Sequence, residues 1–170
     1  MKSEPSSETA LAVRDARLEL WRDPEWQRLW LAMQVRPWRS LAVVPASEGA
    51  PADFTLRVAV TLARTGMVHL GSPVQVADGT KVPLAYLTQF MEEVQRCTRD
   101  GERILVAVAP MTKNPITLSI AQATDAALLC VLLDHMTSSR SKKTVAEIGF
   151  NRFVGSVIFR GDDLNISAGR

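Results

Sequence analysis

Residues 40–66 read SLAVVPASEGAPADFTLRVAVTLARTG. The run Leu41-Ala42-Val43-Val44 is short, unbroken and apolar, and residues 40–45 are expected to form a strand. Pro45 to Pro51 is a loop of small residues. From Asp53 the period changes: Leu56, Ala59, Val60 and Ala63 share one face of a helix, and Gly66 is the expected C-terminal stop. An apolar strand feeding an amphipathic helix through a short loop is the opening of a βαβ unit.

The alternation extends in both directions. Upstream, Leu18, Leu20 and Trp21 suit a first short helix. Asp23 then caps a second, with Pro24 in its first turn. Trp26, Leu29, Trp30 and Met33 fall on one face of it, and Pro37 ends it. Downstream, Met67 to Leu70 is expected to be the second strand. Val74 to Ala77 meets Asp78-Gly79, a hairpin turn pair, and Thr80 to Val82 is expected to return from it. Leu84, Leu87, Met91 and Val94 trace a helix ending at Arg99-Asp100-Gly101. Ile104 to Val108 and Ala127 to Leu133 are continuous apolar runs, as in strands buried on both faces. Ile116, Ile120 and Ala123 mark a short helix between them. Ser138 or Ser139 caps a last helix through Ile148, Gly149 stops it, and Phe153 to Phe159 is the final strand. The pattern predicts an α/β fold: three layers, α/β/α, around a mainly parallel sheet, with the hairpin as an insertion or an edge. Residues 1–15 read as a disordered polar tail, 16–160 as one domain and 161–170 as a polar tail.

Composition narrows the function. A chain of 170 residues, 46% hydrophobic and 22% charged, suits one globular domain. A net charge of +2 makes no case for nucleic acid. Two histidines and two separated cysteines, Cys97 and Cys130, do not compose a metal site. The longest apolar run, Ala126 to Leu133, is far below the ~20 residues of a membrane span. The start MKSEPSSE is too polar for a signal peptide, so a cytoplasmic protein with no direct membrane insertion is expected.

The order of these pieces is similar to that of the bacterial tyrosine kinases of capsular and exopolysaccharide synthesis. That family belongs to the deviant-Walker, Min- and partition-ATPase-like P-loop class. The matching pieces are the helix from Asp23, the strand-loop-helix at 40–66, Ile104–Pro110, Ala123-Thr124-Asp125-Ala126-Ala127-Leu128-Leu129-Cys130-Val131, Thr137–Gly149 and Phe153–Phe159. They cover residues 24 to 160. The resemblance implies a P-loop NTPase-like fold and a role beside polysaccharide export, with a polysaccharide co-polymerase or a kinase-like relative as protein partner and membrane association through it.

The chemistry of that family does not carry over. A working P-loop offers backbone N–H groups, a lysine and a magnesium-binding hydroxyl to the phosphates. Ser47-Glu48-Gly49 echoes the loop, but Ala50-Pro51-Ala52 stands where lysine and hydroxyl belong, and Pro51 lacks an N–H. With the second strand placed at Met67 to Leu70, no acid follows until Asp78, and Ile104 to Met111 ends in none. No catalytic residue, cofactor or metal is therefore expected. The expectation is a non-catalytic regulatory or scaffolding protein. The alternatives are an atypical nucleotide-binding protein retaining ATP or ADP, or a Min/partition-like positioning protein. Candidate contact residues are Trp26 and Trp30, as core alone or as core plus an anchor for a partner or second subunit, and the basic start of a helix at Arg140, Lys142 and Lys143. His69 reads as a structural residue with one hydrogen bond, and Lys113 as a solvated loop lysine.

Overall fold

In the computed structural model the described residues are 19–133 and 138–164. Five strands form one sheet: β1 (Ser40–Pro45), β2 (Val74–Asp78), β3 (Arg103–Ala107), β4 (Ala126–Leu132) and β5 (Phe153–Phe159). All pair in parallel, in the order β2-β3-β1-β4-β5. Among the described residues five α-helices accompany them: α1 (Pro24–Ala32), α2 (Phe54–Leu70), α3 (Leu87–Arg99), α4 (Ile116–Ala123) and α5 (Ser138–Ile148).

The unbroken apolarity of β1 and β4 has a direct cause: every residue of both strands is buried. Alternate side chains enter two separate cores. On one face Leu41, Val43, Leu105, Leu128 and Cys130 pack with Trp26 and Trp30 of α1 and with Phe54, Val58 and Leu62 of α2. On the other, Ala42, Val44, Val106, Leu129 and Val131 pack with Val94 of α3, Ile116 and Ile120 of α4, and Ile148 of α5. The sheet is thus covered on both sides, the expected three-layer α/β/α arrangement.

Several expected boundaries are corrected. Gly66 does not end α2, which runs four residues further to Leu70 and stops at Gly71 in the left-handed conformation. Gly66 is instead a contact position: a Cβ there would lie 2.3 Å from Cη2 of Trp30. Met67 to Leu70 is therefore the last turn of a helix and not a strand. The hairpin is absent too. Asp78 ends β2, and its carboxylate accepts from the backbone N–H of Thr80 (3.0 Å), a local turn that returns no strand. Gly79 then donates to the Ala107 carbonyl (2.8 Å), continuing the pairing with β3 beyond the strand. At the N-terminal end, Leu20–Arg22 is a single 3-10 turn. At the other end, Gly161–Leu164 is a 3-10 turn that buries Leu164, so the domain extends past 160. The tail expected at 1–15, residues 165–170 of the tail expected at 161–170, and Thr137 lie outside the described residues.

Trp26 is a core residue. It is 5% exposed and stacks on Phe159 of β5, with ring centroids 5.4 Å apart. Trp30 is 1% exposed and meets Trp38 edge-on. One turn apart on α1, the two rings follow the same stripe into the core.

Candidate functional site

The chain leaves β1 on the face of α2 and leaves β4 on the face of α5. Where neighbouring strands send their connections to opposite faces, a crevice opens outside their carboxyl ends. A cleft of 440 Å³ lies there. The end of β1 contributes Pro45 to Glu48, and the segment after β3 contributes Pro110 to Thr112. Arg140, Lys143, Thr144 and Glu147 of α5 close the side. Their spacing of i, i+3, i+4 and i+7 places them on one face of the helix.

The loop after β1 is held from several directions. Ala46 donates its N–H to the Cys130 carbonyl (2.8 Å), extending the pairing with β4. Ser141 Oγ reaches the Ala46 carbonyl at 3.5 Å. Thr55, in the first turn of α2, donates its hydroxyl to the Val108 carbonyl at 2.8 Å and so ties the helix to the end of β3. Asp53 pairs with Arg57 of the same helix at 2.6 Å.

Charge in the cleft is balanced within the chain. Glu48 forms an ion pair with Arg140 across the gap. Lys143 faces Glu147 at 3.7 Å along α5. The first turn of α5 holds no acidic residue, so the carboxylate of Glu48 also answers the positive end of that helix. Ser47 is 5% exposed, and its Oγ has no hydrogen-bond partner. A hydroxyl without a base is no nucleophile. Cys130 is none either, since full burial pushes its thiol far above the ordinary range. Among the described residues no group of His, Cys, Asp and Glu could hold a metal ion.

The structure thus brings together two features that the sequence kept apart, the loop at Ser47-Glu48 and the basic helix start at Arg140. Gly49 is exposed beside them. Lys142 is exposed and does not line the cleft. Trp26 and Trp30 belong to the core on the α1–α2 face. His69 is a helix residue whose Nδ1 accepts from Trp30 Nε1 at 3.2 Å, the single structural hydrogen bond expected of it. Lys113 is an exposed loop residue, also as expected. Thr112 and Thr144 were not singled out by sequence reading. Helical spacing from Arg140 would have found Thr144, whereas nothing local marks Thr112. No helix among the described residues is long and apolar enough to cross a membrane. Searches of protein-family models and of curated proteins find no match to this chain.

Proposed function

We propose that this protein is a non-catalytic relative of the polysaccharide tyrosine kinases and acts as a regulatory or scaffolding partner in exopolysaccharide synthesis or export. One observation carries the loss of catalysis. At the carboxyl end of β1, where a phosphate would need a cation, Arg140 is already paired with the chain's own Glu48. The lysine and hydroxyl that such a loop needs are replaced by Ala50-Pro51-Ala52. The nearby hydroxyl of Thr55 is committed to a backbone carbonyl. The pathway itself rests on the resemblance in order and spacing of the chain's segments.

Titration calorimetry with Mg-ATP tests this reading. The expected outcome is no binding heat and no autophosphorylation; micromolar binding overturns it. A second reading gains one observation. Because β2 ends in Asp78, an acid does stand at the end of the second strand, where the resemblance places a magnesium-serving acid. That favours an atypical nucleotide-binding protein over a complete loss. Under that reading Asp78→Asn abolishes an Mg-ATP signal that the unsubstituted protein gives.

A further inference from the structure

The Glu48–Arg140 pair has a chemical meaning of its own. Arg140 and Lys143 lie one turn apart on α5 and face the same cleft. The amino-terminal end of α5 adds a partial positive charge, and no acid in its own first turn offsets it. Arg140 at the helix start, with hydroxyls of Thr112 and Thr144 alongside and Lys143 shared with Glu147, forms a receptor for a compact anion. The anion that meets Arg140 is a tethered one. Glu48 reaches in from the loop after β1, on the opposite wall of the cleft, and takes Arg140. Beside it, the Ser47 hydroxyl is buried with nothing to donate to. Most buried hydroxyls in folded proteins have a partner, so an orphan at a cleft wall marks a missing acceptor.

We infer that this cleft is a phosphate-group site held closed by Glu48, which acts as a built-in competitor for Arg140. A phosphate-bearing ligand enters only by displacing that carboxylate. Displacement breaks the charged link between the loop after β1 and α5, leaves the Ser141–Ala46 contact in place, and sets the incoming oxygens beside the Ser47 hydroxyl. The cations come from α5, after β4, and no magnesium is involved. The inference therefore stands apart from the loss of Mg-ATP chemistry proposed above. The phosphate group has two sources, a free phosphate compound or a phosphorylated side chain.

Calorimetry in magnesium-free buffer, with pyrophosphate and with O-phosphoserine as probes, reads the effect. Three full-length proteins are compared: unsubstituted, Glu48→Gln, and Glu48→Gln with Arg140→Gln. Both side chains are partly exposed, at 34% and 57%, so the fold is expected to tolerate the changes, and thermal melts of the three proteins check it. Glu48→Gln is expected to bind at least one probe fivefold or more tighter than the unsubstituted protein, and Arg140→Gln to abolish the gain. Tightening for pyrophosphate assigns the site to a small molecule, and tightening for O-phosphoserine to a modified side chain. Equal affinity with and without Glu48 for both probes, or a gain that survives Arg140→Gln, overturns the inference. A failure of the Mg-ATP prediction would be read on the unsubstituted protein and leaves this comparison intact.

Discussion

Gly66 carries a constraint that is invisible in its own neighbourhood. Within a helix, glycine is less favourable than alanine by about 1 kcal/mol, so Gly66→Ala would ordinarily stabilise α2. Here the added methyl would fall 2.3 Å from Cη2 and 2.6 Å from Cζ2 and Cζ3 of Trp30. That ring is rigid, 1% exposed and fixed through Nε1 to His69, so it has little room to yield. Gly66→Ala is expected to lower stability by about 2 kcal/mol. Gly71→Ala meets open space and pays only for its φ of +68°, about 1 kcal/mol. Urea unfolding of the two variants checks the order. Cys130 supplies a second test. Its raised thiol pKa keeps the folded state protonated where the unfolded chain begins to ionise, near 9.0. Its share of stability is therefore full below that pH and is lost as pH rises beyond it, at about 1.4 kcal/mol per pH unit. Cys130→Ala should flatten this alkaline decline relative to the unsubstituted protein, as read from urea midpoints at about pH 8 and about pH 10.

At the level of elements, the sequence was most legible where one signal dominated. The strands at 40–45, 103–107 and 126–132 stand out because they carry unbroken apolar runs that need cover on both faces, whereas Phe153 to Phe159, interrupted by Gly155 and Ser156, lies half-exposed at the sheet edge. Gly66 misled because a glycine that accommodates an indole and a glycine that ends a helix are the same letter. The error spread: stopping α2 early turned its last turn into a strand and pushed Val74 to Asp78 into a hairpin. Asp78-Gly79 misled similarly, since an Asx turn at a strand end and a two-residue hairpin share their residues. The tryptophans of α1 give the clearest test. With Trp26 stacked on Phe159 and Trp30 enclosed by Trp38 and α2, both act through packing. Trp26→Ala and Trp30→Ala are each expected to cost about 3–5 kcal/mol, seen as a lower urea midpoint with an unchanged oligomeric state. A Trp26→Ala protein of normal stability and altered sedimentation would return that residue to an interface.

For the molecule as a whole, the site was less legible than the fold. Glu48 and Arg140 are separated by ninety-two positions, and each alone reads as a solvated charge. Only the order of the strands, with β1 beside β4, sets the loop after one against the helix after the other. That same order bears on how the chain comes into being. β1 lies in the middle of the sheet, yet it pairs with β3 and β4, and β2 pairs with β3. A polypeptide growing from its amino terminus releases β1 and β2 before either has a strand to join. Both wait, apolar and unpaired, until Arg103 to Ala107 emerges and inserts between them. The amino-terminal half therefore has no sheet of its own to rehearse, and assembly is a late, concerted event dependent on long-range pairing. During that interval on the ribosome, Leu41 to Val44, wholly buried in the finished fold, stands without cover.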